Sequence, residues 1–192
     1  MSGDHSSALG SLAGLKRTYD TQQIGVVWID AHADLHSPFS TPSGNIHGMP
    51  LAAALAQDNL AYKRNEVEGQ IREDWEALKS LGKQVPILKP EHLIYFGVRD
   101  FEKEEAAIMN GFQIRNYPVK ELRQRGLKTC LDEALAHIES VDLIYLTFDV
   151  DALDCDLVSR GTGTPVSKAF YPDDIIQLIK GVQSSGKLVA LE

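Results

Sequence analysis

The chain has 192 residues, 43% of them hydrophobic and 24% charged, enough to bury one sizeable core as a single domain over 1–192. A formal net charge of −8 argues against nucleic acid or an anionic membrane as partner and favours a small cationic substrate. Cys130 and Cys155 lie far apart without metal-knuckle spacing, and neither a membrane-length apolar run nor a signal-peptide pattern is present, so a reduced, cytoplasmic protein is expected.

In chain order, a helix is expected to start near Ser7, followed by a buried strand at Ile24–Ile29 whose six residues are apolar or glycine. The Ser/Thr/Pro/Gly-rich segment 37–48 reads as an active-site loop. Helical spacing then predicts a helix over 65–81, a strand over 93–98, a helix over 102–110, a further strand within 112–117 and a helix over 127–138. A strand at Leu143–Phe148, a helix over 172–182 and a strand at Leu188–Leu191 complete the alternation. This order predicts an α/β fold, a three-layer α/β/α arrangement around a mostly parallel sheet. In such sheets the chemistry gathers at the carboxyl ends of the strands, where the following loops converge.

Candidate ligands stand at those ends. Asp30-Ala-His32-Ala-Asp34 begins where the first strand stops, and Asp149-Val-Asp151-Ala-Leu-Asp154 follows Leu143–Phe148. If the backbone stays extended there, residues two apart share a face, so carboxylates and an imidazole converge on a small volume that needs cations to offset their repulsion. Asp4-His5-Ser6 adds another imidazole ahead of the first helix. Any one of these pieces could be simple helix capping or turn chemistry. Two Asp-x-Asp/His groups, each directly after an apolar strand, favour a dinuclear metal site instead. Mixed Asp/His ligation suits Mn²⁺, with zinc or iron as alternatives, and lacks the glycine and terminal glutamate of a calcium loop.

These motifs resemble those of the ureohydrolase family: Gly3-Asp4-His5-Ser6, Asp30-Ala31-His32-Ala33-Asp34, Thr147-Phe148-Asp149-Val150-Asp151-Ala152-Leu153-Asp154 and Gly161-Thr162-Gly163-Thr164-Pro165 occur in that order. Ser43-Gly44-Asn45-Ile46-His47-Gly48 resembles the arginase branch of the family. The resemblance implies an arginase-like fold and two Mn²⁺ ions. His5 and Asp34 would complete one shell, His32 and Asp151 the other, and Asp30 and Asp149 would bridge. It implies hydrolysis of the L-arginine guanidinium group to L-ornithine and urea by a metal-bridging hydroxide. His47 is implied as the proton shuttle to the leaving amine. Ser43, Asn45 and Glu102 match positions that hold the α-carboxylate and α-amino ends, and Thr164 would line the pocket. An acid in the first turn of a helix, as Glu102 is, also favours that helix's dipole.

The sequence departs from that pattern at a few places. His36 stands where an asparagine contacting the substrate carboxylate is usual, and Cys155 replaces a proline before a loop, 155–161, that is about one residue longer by spacing. Family members extend beyond both ends of this segment, so the chain is expected to be truncated, to lack the glutamate that pairs with the substrate guanidinium, and to be weakly active or inactive by itself. Uncovered apolar surface would favour a homo-oligomer, of unspecified order. Two other readings stand beside arginine hydrolysis: a different amidinohydrolase, agmatinase-like or acting on formiminoglutamate, and a truncated metal-binding homologue without activity.

Overall fold

The computed structural model describes residues 2–158 and 160–192. The chain divides into two compact units: residues 1–22, 33–90 and 101–113 form one, and residues 23–32, 91–100 and 114–192 the other.

The second unit contains the sheet. Its strands are β1 (Ile24–Ile29), β2 (Leu93–Phe96), β3 (Arg115–Tyr117), β4 (Leu143–Phe148) and β5 (Leu188–Leu191), in spatial order β3-β2-β1-β4-β5. Every pair is parallel, so the expectation of a mostly parallel sheet is met in full among the described residues. All six residues of β1 are buried, which is why the strand is apolar without alternation. Among the described residues, the helices of this unit are α5 (Val119–Arg125), α6 (Leu127–His137) and α7 (Pro172–Ser184). Val27, Ile29, Ile94, Phe96, Ile144 and Leu146 of the sheet share one core with Leu122 of α5, Leu131 and Ala134 of α6, and Ile175, Leu178 and Val182 of α7. The α7 positions recur at helical spacing, and burying each such side chain stabilises the unit by roughly 1.5–3 kcal/mol.

The register decides where the chemistry can lie. Ile29 of β1 pairs with Phe96 of β2 and with Phe148 of β4, so the three strands end at one level. After β1 the sheet grows through β2 to β3 on one side, whereas β4 and β5 lie on the other. The boundary between β1 and β4 is therefore a topological switch point, where connections diverge and open a crevice beyond the carboxyl ends.

The first unit is helical, with α1 (Ser7–Thr18), α2 (Pro50–Ala54), α3 (Gly69–Lys79) and α4 (Lys103–Gly111). Ala8, Leu9, Leu12 and Ala13 form the buried face of α1. The short α2, buried throughout, has too few residues to show periodicity in the sequence; α5 is similarly short. The helix expected over 65–81 is shorter at both ends. Asn65 Nδ2 donates to Pro38 O (3.0 Å) and Thr41 O (2.7 Å), holding its segment as loop, and Gly69 adopts φ 54° at the helix start. The strand expected over 93–98 stops at Phe96 because Gly97 takes φ 93°, outside β geometry. The loop over 155–161 includes Ser159, which lies outside the described residues.

Candidate metal centre

In the second unit, Asp30 follows β1 and Asp151 follows β4. Ligand atoms of Asp30, His32 and Asp151 all lie within 4.8 Å of one another. His32 Nδ1 is 3.0 Å from Asp151 Oδ2 and 3.6 Å from Asp30 Oδ1. Each carboxylate is also fixed by further hydrogen bonds. Asp30 Oδ2 accepts from Trp28 Nε1 (2.9 Å) and its Oδ1 from His32 N (2.8 Å), while Asp151 Oδ1 accepts from Ala31 N (3.3 Å). Burial opposes charge on His32, but hydrogen bonds and attraction from Asp151 and Asp30 prevail and push the ring up to about 11. Burial, together with the nearby Asp30 and Asp149 charges, raises Asp151 above the usual carboxylate range against the opposing pull of His32. Such a surplus of buried negative charge, gathered with an imidazole nitrogen, fits a divalent cation of borderline hardness.

Asp149 lies beside this trio without joining it. Residues Val150–Ala152 form a 3₁₀ turn, and Asp149 Oδ1 accepts from Asp151 N at 2.9 Å, so this aspartate caps the turn. The expected extended alternation therefore gives way to a tight turn. Thr164 Oγ1 donates to Asp151 Oδ2 at 3.4 Å, beside a candidate metal ligand. Cys155 is partly exposed, and its Sγ is 4.0 Å from Asp156 Oδ1.

In the first unit, His5 Nδ1 is 3.2 Å from Asp34 Oδ2, with both side chains nearly buried. Two local devices set up this pair. Asp4 Oδ1 accepts from Ser6 N (2.9 Å) and Asp4 O from Ser7 N (3.2 Å), fixing His5 just ahead of α1. Asp34 takes φ 51°, a left-handed turn that ends the extended run, and its carbonyl accepts from Leu51 N at 3.1 Å. His47, in the short helical turn Ile46–Gly48, faces Asp4 with Nδ1 3.9 Å from Oδ2. Hydrogen bonds from Ser6 hold the Asp4 carboxyl below its ordinary range.

The candidates for the amino-acid end of a substrate fall into two groups within that unit. Ser43 and Asn45 share an exposed turn in which Asn45 N donates to Ser43 Oγ at 3.2 Å. His36 Nε2 lies 3.8 Å from Glu102 Oε2 and 3.5 Å from Glu105 Oε2. A nearby cleft of about 500 Å³ is lined by Ser43, Gly44, Ile46, Val67, Trp75 and neighbours; its wall is mostly apolar and holds none of the ligand candidates.

Four side chains at these sites were not singled out from sequence. Arg99 donates to the carbonyls of Gly97 (3.0 Å), Asp151 (3.0 Å), Val166 (3.0 Å) and Ser167 (3.3 Å). Asp100 Oδ2 lies 3.7 Å from His32 Nε2. Their position just past β2, level with Ala31 and His32, was the available signal. Trp28 and Glu105 carried none, because a strand tryptophan and a helix glutamate are ordinary residues in those settings.

A sequence model of the arginase family matches residues 1–192. The chain belongs to the arginase family. Arginase of Bacillus caldovelox is 36% identical over 167 residues, which are 86% of this chain and 50% of that protein. The crystal structure of arginase from Bacillus subtilis subsp. subtilis str. 168 superposes with a TM-score of 0.84 at 31% identity, over 100% of this chain and 60% of the other. Entamoeba histolytica arginase, solved in complex with L-ornithine, gives 0.83 at 30% identity, over 99% and 58%. This arginase-family chain has the arginase-like α/β fold and spans about half the length of the curated relatives it matches. No helix among the described residues is long and apolar enough to cross a membrane.

Proposed function

We propose that this chain carries the metal-binding and catalytic elements of a manganese-dependent arginase, which hydrolyses L-arginine to L-ornithine and urea. The observation that carries the reading is the convergence of Asp30, His32 and Asp151 at the carboxyl ends of two adjacent parallel strands. The His5–Asp34 pair supplies a second set of ligand atoms of the same chemistry. We assign two Mn²⁺ ions to these residues together with Asp149. Bound there, the cations would act as Lewis acids and make water a nucleophile at neutral pH.

The remaining roles belong to side chains of this chain. His47, partly exposed beside Asp4, carries a proton to the leaving amine. Glu102 offers a carboxylate to an α-ammonium group, and Ser43 and Asn45 offer donors to an α-carboxylate. Thr164 donates its hydroxyl to Asp151, and we assign it to the lining of the substrate pocket. A cytoplasmic enzyme acting on a small guanidinium cation, without nucleic acid or membrane as partner and able to form a homo-oligomer, completes the proposal.

The test is urea release from L-arginine by Mn²⁺-loaded protein, with agmatine and formiminoglutamate in parallel and bound metal counted. Preference for arginine supports the reading, and preference for another substrate replaces it with a different amidinohydrolase. Bound metal without any product would favour the metal-binding homologue.

A further inference from the structure

Asp154 stands at the neck of a long loop. Its Oδ1 accepts from Asp156 N at 3.0 Å and its Oδ2 from Ala169 N at 3.1 Å, so one buried carboxylate holds both ends of the connection. The main chain pairs alongside it: Asp154 N donates to Phe170 O (3.0 Å) and Phe170 N to Ala152 O (3.1 Å). Phe170 belongs to the core of this unit, whereas Asp156, Gly161 and Thr164 along the loop are exposed. Hydrogen bonding from the Ala169 N–H holds the carboxyl below its ordinary range, against the effect of burial. Just before the neck, Lys168 takes φ 61°, a left-handed conformation that a lysine keeps only where neighbouring bonds hold it.

The body of the loop meets the candidate metal centre. Arg99 Nη2 donates to Val166 O in the loop and to Asp151 O, each at 3.0 Å, and Arg99 Nε donates to Ser167 O at 3.3 Å. Thr164 Oγ1 reaches Asp151 Oδ2 only at 3.4 Å, too long for a hydroxyl to set the carboxylate by itself. Both contacts need the loop to be seated.

We propose that Asp154 is a positioning residue: its carboxylate fastens the loop at Ala169, which seats Arg99 and Thr164 against Asp151 and fixes the orientation of that ligand for a divalent cation. The inference rests on the metal-dependent reading above and adds to it a residue outside the ligand set. The Asp154 side chain ties the first turn of the loop, at Asp156, to Ala169, which neither main-chain bond does. Asparagine in its place has one acceptor oxygen and turns an NH₂ toward one of the two N–H donors, so it opens one end of the neck at nearly unchanged volume.

The experiment titrates Mn²⁺ calorimetrically into the protein and into Asp154→Asn, Arg99→Lys and the double variant. Asp154→Asn is expected to lower affinity about tenfold, the low end for losing a group that orients metal ligands. In the Arg99→Lys background it should add little, because the strongest link from the loop to Asp151 is already broken. Asp156→Asn removes a neighbouring charge but keeps the N–H that Asp154 accepts, and should change affinity by less than about twofold. Equal losses in Asp154→Asn and Asp156→Asn, additivity in the double variant, or a lowered thermal midpoint with unchanged Mn²⁺ affinity overturn the proposal. A metal-free readout separates it from the metal reading: in ¹⁵N-labelled protein the Arg99 Nε–H resonance should move in Asp154→Asn while that of Arg115 stays. An unmoved Arg99 signal overturns the positioning role even where Mn²⁺ binds, whereas a moved signal in a protein whose wild type binds no Mn²⁺ supports the seating of the loop and removes the metal reading alone. Thr164→Val, at an exposed position, covers the case in which Asp154→Asn does not fold: Mn²⁺ binding weaker by roughly threefold is expected, in line with one weak hydrogen bond, and unchanged affinity overturns the proposal.

Discussion

Arg99 Nη2 donates to the main-chain oxygen of Asp151 at 3.0 Å, and the same guanidinium reaches the carbonyls of Gly97, Val166 and Ser167. One side chain thus joins the exit from β2 to the turn after β4 and to the loop that follows Thr164. A planar fork of five donors can serve four carbonyls at once, and a lysine cannot. Arg99→Lys is expected to weaken Mn²⁺ binding by about 10–100-fold, the usual effect of losing a group that orients metal ligands. Calorimetric titration with Mn²⁺ checks this directly, and unchanged affinity would show that Asp151 needs no such support.

His47 is the candidate proton carrier, and its neighbour Asp4 is turned toward it at 3.9 Å. Replacement of His47 by Asn should lower kcat for urea release by about 10²–10⁴-fold, the range assigned to general acid–base groups, and leave bound metal unchanged. Metal analysis alongside steady-state kinetics separates this from a ligand defect: loss of Mn²⁺ in the variant would make His47 part of the metal shell.

Gly97 occupies a position closed to other residues. Its φ is 93°, and a Cβ there would sit 2.5 Å from Phe170 Cε2 and 3.1 Å from Asp30 O. Gly97→Ala should destabilise the protein by roughly 2–4 kcal/mol through backbone strain and overpacking. Urea denaturation measures the loss, and a change under 1 kcal/mol would mean that Phe170 yields easily.

Asp174 anchors the start of α7. Its oxygens accept from Arg123 Nη1 (2.8 Å) and Nη2 (2.6 Å), and Oδ2 also accepts from Tyr171 N (2.8 Å). Burial disfavours its charge, but Arg123 and the Tyr171 backbone prevail and hold the carboxyl below its ordinary value of 3.8. A depressed folded-state value contributes stability that is present above 3.8 and lost as the pH falls through the folded value. Asp174→Asn should therefore cost about 1–2 kcal/mol near neutrality and flatten the acid limb of the stability profile. Thermal midpoints between pH 2 and pH 7 test the sign, and an acid limb of unchanged steepness would assign that loss to other carboxylates.

Much was legible from residue order alone. The strands β1, β4 and β5 have the bounds expected from their apolar runs; β1 is buried throughout and β4 at its four central positions, whereas β5 is only partly covered. Asp30, His32 and Asp151 could be named because polar side chains soon after such strands must emerge at the sheet's carboxyl edge. Local chemistry of this kind depends on neighbours a few residues away, which a sequence displays. Tertiary structure alone decided the rest. Whether Asp149 faces outward or caps its own turn depends on a 3₁₀ turn at Val150–Ala152, and the left-handed Asp34 departs from an alternation that the sequence pattern favoured. Arg99 and Glu105 became visible only through partners distant in the chain, Asp151 and Leu35, since the bonds that define their roles form after folding has brought those backbones within reach.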